Sequence, residues 1–308
     1  MKFTSSLLII CFSPFVLRAQ SSIDLFTFSG MYGVPSAYED PLTGKATESG
    51  TLLNLKVPIV LNSKTTWYND FTHTLYVINN DIDPEPAGMI TSTKLQAFIF
   101  QTGIVQKIND QNGFQLLLVP RYTTDFQGSN KKNWQMGAIG LYEHRFSSRL
   151  LMRFGALYNG EVFGPLLVPL IYTDWQLSER WNINGTFPIS LKASYTFNDR
   201  LSGGYSHFGF ITTYSINEPE FDSDYIERNS IDETIFLRWR LAGNIHLETR
   251  FGYSLSRVYQ QFSEDDKMDL RLSLFAFGDN RTQKNVNFNS GPIASLRVVY
   301  NLPLDKQD

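Results

Sequence analysis

Apolar and polar residues change places at every step through long stretches of this chain, and no other pattern in it narrows the fold as far. Leu53, Leu55, Val57, Ile59 and Leu61 alternate with Asn54, Lys56 and Pro58. Ile231, Ile235, Leu237, Trp239 and Leu241 alternate with Asp232, Thr234, Arg238 and Arg240. Ile245, Leu247, Phe251, Tyr253 and Leu255 alternate with His246, Glu248, Arg250, Ser254 and Ser256, and a last run sets Leu296, Val298, Tyr300 and Leu302 against Ser295, Arg297 and Asn301. Successive side chains of a strand point to opposite faces, so each run gives a strand with one apolar and one polar face.

A soluble sandwich alternates too, but its strands are mostly about 5 or 6 residues long, whereas these runs reach about 10 to 14. The connections also sort into two kinds. Leu61-Asn62-Ser63-Lys64, Phe146-Ser147-Ser148-Arg149, Leu177-Ser178-Glu179-Arg180 and Phe197-Asn198-Asp199-Arg200 are short turns of one form. Pro35 to Ser49, Asn79 to Thr91 and Ser215 to Ser230 read as long polar loops. Short turns on one side and long loops on the other is the asymmetry of a transmembrane β-barrel. Trp67, Trp175, Trp181 and Trp239 fall close to short turns and Trp134 beside a long loop, which reads as an aromatic girdle at the periplasmic rim. A bilayer offers no water to an unpaired strand edge, so the sheet must close. The expected fold is all-β: a single closed antiparallel barrel of about 12 to 14 strands, 14 favoured, over residues 20–308. The doubtful stretches are Trp181 to Phe197, where Pro188 leaves two short strands, and Met268 to Ser290, which reads as an extracellular excursion.

The start of the chain sets the expected compartment. Lys2 precedes an apolar run from Leu7 to Leu17, and Leu17-Arg18-Ala19 before Gln20 fits a signal-peptide cut after Ala19. Processing at Cys11 as a lipoprotein is the alternative, disfavoured by the bulky Ile10. Cys11 is the only cysteine, so residues 20–308 hold no thiol for disulfide or metal chemistry. Loss of Lys2 and Arg18 takes the 27 basic residues to 25 against 30 acidic ones, a formal charge of −5. That argues against a nucleic-acid partner. The expected partners are outer-membrane lipid and lipopolysaccharide, the barrel-assembly machinery during biogenesis, and small solutes.

Arg121, Arg153, Asp174, Lys192, Arg238, Arg240, Glu248 and Arg250 all have the parity opposite to their strand's apolar stripe, and Glu143 and Arg145 join them if the strand from Trp134 is read in that register. These are the expected lumen-lining residues, because charge on that face meets water or a partner. A pore lining that selects by charge and a closed lumen knitted by arginine–carboxylate pairs both fit that pattern. Acidic clusters stand at Asp81, Asp83 and Glu85, at Glu218, Glu220, Asp222, Asp224 and Glu227, and at Glu264, Asp265 and Asp266. They read as solvated loops with no calcium-loop pattern. His73, His144, His207 and His246 are scattered over strands, and Ser206-His207 are neighbours that point to opposite faces, so no catalytic pair, metal site or cofactor motif is legible.

The wording of Gly164-Pro165-Leu166-Leu167-Val168-Pro169, Leu177-Ser178-Glu179-Arg180-Trp181, Phe187-Pro188 and Tyr195-Thr196-Phe197-Asn198-Asp199-Arg200-Leu201 resembles an uncharacterised, domain-of-unknown-function family of Gram-negative outer-membrane β-barrels. The opening Asp24-Leu25-Phe26-Thr27-Phe28 and the closing Leu296 to Leu302 are similar as well. The resemblance implies a barrel and its location and no activity. The closing strand departs from the usual terminal aromatic, since Leu302 is followed by Pro303 to Asp308. The function expected is a passive channel or small-solute uptake barrel. Alternatives are a non-conducting barrel that binds through its loops and, third, an outer-membrane lipid hydrolase.

Overall fold

The computed structural model describes residues 22–82, 86–90, 92–129 and 131–303. The expected signal segment, with its cut after Ala19, lies outside these, as do Asp83 and Glu85. The strands are β1 (Ser22–Ala37), β2 (Gly44–Lys56), β3 (Ile59–Val60), β4 (Thr65–Ile82), β5 (Thr93–Lys107), β6 (Asn112–Thr124), β7 (Trp134–Ser147), β8 (Leu150–Glu161), β9 (Gly164–Gln176), β10 (Trp181–Phe187), β11 (Ser190–Asn198), β12 (Leu201–Ser215), β13 (Asp224–Ala242), β14 (Ile245–Ser263), β15 (Leu270–Leu272), β16 (Phe275–Phe277) and β17 (Gly291–Pro303). A 3₁₀ turn at Lys131–Asn133 is the only helical element among the described residues.

Each wall strand pairs antiparallel with its neighbours in the chain, and β1 pairs with β17 from Ser22↔Pro303 to Gly33↔Ile293 to close the ring. Of the seventeen strands, β3 prolongs β2, and β15 and β16 form a side hairpin, which leaves fourteen in the wall of a closed barrel. The break between β2 and β3 falls at Pro58, which has no N–H to give the ladder. Pairing of the run resumes on β4 at Ile59↔Trp67.

The barrel is inside-out by the standard of a water-soluble domain. Ile235 and Phe251, paired across β13 and β14, are 67 % and 60 % exposed, whereas Glu248, three residues along β14 on the opposite face, is 0 % exposed. The tight turns gather at one end with the start of β1 and the finish of β17; we call it the turn end and the opposite one the loop end. Trp67, Trp175, Trp181 and Trp239 are exposed near the turn end. Trp134 opens β7 at the loop end and packs edge-on against Tyr122 at 5.2 Å, so it belongs to the other rim.

The polar stretches expected as long loops are largely strand. β1 runs on to Ala37 and β2 starts at Gly44, β4 reaches Ile82, and β12 and β13 pair through Ser215↔Tyr225. Two loop-end connections are tight, between Glu161 and Gly164 and between Phe187 and Ser190. The second caps the short hairpin β10–β11, whose 7 and 9 residues stop well below the 13 of β9 and the 15 of β12.

That short hairpin decides the shape of the loop end. Above Phe187 the upper half of β9 has no β10 beside it, and above Phe208 the upper half of β12 has no β11. The free edge of β12 folds into the barrel. Thr213, whose parity faces outward lower down, accepts at Oγ1 from Gln135 Nε2 at 3.0 Å and donates to Glu161 Oε2 at 2.7 Å, on the inner faces of β7 and β8. Ser215 pairs in parallel with Thr124 of β6. Opposite walls therefore touch at this level. The excursion 264–290 fills the space left behind. Its strand β15 pairs with the unattended edge of β9 at Arg271↔Leu166, and Met268 N donates to Phe163 O at 2.9 Å.

Candidate functional site: the barrel interior

The inward faces of the wall strands carry the side chains that could meet a solute, and they form layers. Nearest the turn end, β14 projects Glu248 into a group of four cations. Lys192 Nζ and Arg238 Nε lie 2.5 and 2.7 Å from Glu248 Oε2, and Arg250 Nε and Arg297 Nη1 lie 2.7 and 2.9 Å from Oε1. Arg238 also reaches across to β1, with Nη2 2.8 Å from Asp24 Oδ2. The neighbouring wall has its own layer, in which Arg153 Nε donates to Glu143 Oε2 at 2.7 Å and the guanidinium lies 4.4 Å over the Tyr172 ring. Asp174, on β9, accepts from Asn182 Nδ2 at 3.1 Å.

Above this floor is a cavity of ≈ 450 Å³. Its lower wall is polar, with Asp24, Lys56, Asp70, Lys192, Arg250 and Arg297; its upper wall brings in Ile99, Val119, Ile139, Leu157, Phe208 and Phe210, with Arg121 and Asp232 set among them. The roof is a second charged layer. Glu48 on β2 accepts from Arg228 Nη2 at 2.8 Å across the barrel and from the Tyr259 hydroxyl, while Arg121 on β6 pairs with Glu161 on β8 at 3.2 Å. Arg228 lies 3.8 Å from the centre of the Tyr76 ring. Arg257, 1 % exposed, reaches Ser36 Oγ at 2.6 Å. A β-carbon on Gly33 would come within 2.1 Å of Arg257 Nη1, so this position has no room for a side chain while Arg257 stays where it is. Beyond the roof an apolar cluster seals the loop end, joining Tyr38, Ile78, Ile90, Ile216, Ile226 and Phe288 from both sides of the barrel.

The sequence of the family described as "Domain of unknown function (DUF6268)" matches residues 18–291. The chain belongs to this family. No curated protein matches this DUF6268 chain. Among solved structures it is similar to the COG4313 outer membrane channel from Pseudomonas putida F1, with 12 % identity, 91 % of this chain and 96 % of that chain covered and a TM-score of 0.42. It is similar to a mutant of the TodX monoaromatic hydrocarbon channel, with 9 % identity, 90 % and 89 % covered and a TM-score of 0.42. The translocator domain of the autotransporter NalP from Neisseria meningitidis is similar at 11 % identity, 90 % and 88 % covered and a TM-score of 0.38. These likenesses bear on neither substrate nor mechanism.

Within this DUF6268 barrel, Lys192, Arg238, Glu248 and Arg250 come together in one network, and Arg121 and Arg153 stand in two others. Arg240 departs from the expected lining: it is exposed near the turn end and donates to the Asp199 carbonyl. Asp24, Glu48, Glu161, Arg228, Arg257 and Arg297 are interior charges that the parity reading left out. The acidic stretch read as a solvated loop is partly buried. Glu227 and Asp224 are 1 % and 5 % exposed, Glu227 accepting from Arg271 and Arg281 and Asp224 pairing with Lys284. His207 Nδ1 lies 2.8 Å from Glu233 Oε1, on the face opposite to the buried Ser206. His73 pairs with Gln96 and His144 with Asn112. No group of three or more potential metal-ligating side chains lies together among the described residues.

Proposed function

We propose that this protein is an outer-membrane barrel whose lumen is an occluded conduit for small solutes. The observation that carries the reading is the ≈ 450 Å³ cavity held inside a closed barrel, between a charged floor and a sealed loop end. An apolar exterior with exposed tryptophans at both rims suits a bilayer and its headgroup boundaries. In that setting the turn end faces the periplasm and the loop end the cell exterior. Outer-membrane lipid and lipopolysaccharide surround the barrel, and the assembly machinery inserts it after removal of residues 1–19.

Occlusion has a structural basis in the infolded edge of β12. The upper halves of β12, β13 and β14 lean across the lumen, and the excursion 264–290 stands behind them. Glu227 faces outward from β13 by parity and is clasped by Arg271 and Arg281 of the excursion. Passage requires that this arch swing back to the wall, and loss of the clasp favours it. Electrical recording of the refolded chain in a planar bilayer tests the reading. A conduit of this kind passes rare brief currents, and far more when the clasp is cut.

A non-conducting barrel is the second reading, supported by the buried pairs Arg121–Glu161 and Arg228–Glu48. A barrel silent both intact and with the clasp cut would favour it.

A further inference from the structure

Resting on the conduit reading, we propose that the cavity takes a small carboxylate with an apolar body, its carboxylate held by Arg250 and Arg297. The charge count of the floor points to an anion. Lys192, Arg238, Arg250 and Arg297 all pair with one carboxylate, Glu248, and Asp24 supplies one more, so this group sets four cationic side chains against two carboxylates. An excess of positive charge lining a cavity favours entry of an anion.

The two arginines are also placed to make a clamp. Glu248 pairs with Arg297 and Arg250 with Ser295 across β14 and β17, which makes Arg250 and Arg297 diagonal neighbours on one face. Arg250 commits Nε to Glu248 and Arg297 commits Nη1. Their remaining guanidinium nitrogens make no hydrogen bond to any described residue, and both side chains line the cavity. A guanidinium presents parallel donors that match the two oxygens of a carboxylate. Above the clamp, Ile139, Leu157, Phe208 and Phe210 give the apolar half of the cavity, with the two phenylalanine rings stacked at 6.1 Å. The volume of ≈ 450 Å³ lies within the usual range of ligand pockets, roughly 300–1,000 Å³. A cation would meet repulsion at the floor, and a fully hydrophilic anion would leave the apolar wall unused.

The test is binding, measured apart from passage. Benzoate, benzamide and benzylamine, which share a ring and differ in charge, are titrated calorimetrically into the refolded barrel of residues 20–308 in detergent. Benzoate should bind at least about tenfold more tightly than benzamide, the worth of about one charge-assisted hydrogen bond, and benzylamine should not register. Arg297→Gln should remove most of the preference for benzoate over benzamide, and Arg297→Lys, which keeps the charge and loses the fork, should restore part of it. Equal binding of benzoate and benzamide to the unaltered barrel, which involves no variant that might misfold, overturns the proposal. So does a benzoate preference that survives Arg297→Gln in a barrel that still shifts its gel mobility on heating. Benzoate binding without conductance would instead retain this site and remove the conduit.

Discussion

Arg281 Nη1 lies 2.8 Å from Glu227 Oε2, and this pair, with Arg271 on the other carboxylate oxygen, ties the excursion to the back of β13. Both Arg281 and Glu227 are at most 3 % exposed. The pair joins two parts of the chain that the alternation pattern treats as unrelated, and it holds the infolded arch against the opposite wall.

Removing the shared carboxylate should release the excursion. Breaking a buried ion pair by taking one partner costs about 3–5 kcal/mol, because the other charge is left uncompensated. Glu227→Gln should therefore expose Arg271 and Arg281 to trypsin in the folded barrel, giving cuts that the unaltered barrel resists. Equal resistance in both proteins would show that the clasp does not hold the excursion.

The excursion should stay docked through mild acid. Hydrogen bonds from Arg281 hold the Asp279 carboxyl below its ordinary value of 3.8. A depressed carboxylate contributes above its unfolded value and loses that contribution only as pH falls through its folded one. Hydrogen exchange over 264–290, corrected for intrinsic rates, should be equally slow at pH 8 and pH 5 and rise only below the ordinary aspartate range. Release between pH 8 and 5 would contradict this.

The outer face should reject charge according to depth. Ile235 is 67 % exposed on the outward face of β13, well away from both rims. Ile235→Arg should cost about 2–4 kcal/mol in urea unfolding from lipid vesicles, the penalty for a cation near the bilayer midplane. Arg240→Ala at the exposed turn end should stay within about 0.5 kcal/mol. A tolerated Ile235→Arg would place that face in water.

Glu248 should matter to both stability and selectivity. Glu248→Gln leaves Lys192, Arg238, Arg250 and Arg297 with Asp24 alone. The urea midpoint should fall, and in the Glu227→Gln background the reversal potential in a salt gradient should move toward chloride. An unmoved reversal potential would take Glu248 off the permeation path.

How much of this was legible follows from what each residue faces. Lys192, Arg238, Glu248 and Arg250 stood out because their strand neighbours meet an apolar surroundings and the parity is clean. Arg297 passes the same test, lying between Leu296 and Val298 on the polar face of its run, but as the only charge there it is absent from the expected lining. Asp24 sits just before a bulge between Asp24 and Phe26, which hides its face from a parity count. Glu48, Arg228 and Arg257 were lost for a different reason. On the upper halves of β12, β13 and β14 the outward residues meet the excursion or the opposite wall, so Thr213, Tyr225 and Glu227 are buried although their parity is outward. Alternation fades there, and the polar segments read as loops. Pro188 marks the pair of short strands in the sequence, but the infolding they permit depends on contacts between distant strands, which no local pattern encodes.

The central claim, an occluded conduit, is tested most directly by planar-bilayer recording of refolded residues 20–308 beside the same barrel carrying Glu227→Gln. The account predicts rare, brief openings in the first and stable conductance steps, at least about tenfold more frequent, in the second. A large steady conductance in the unaltered barrel would contradict the occlusion, and silence from both heat-modifiable barrels would contradict the conduit.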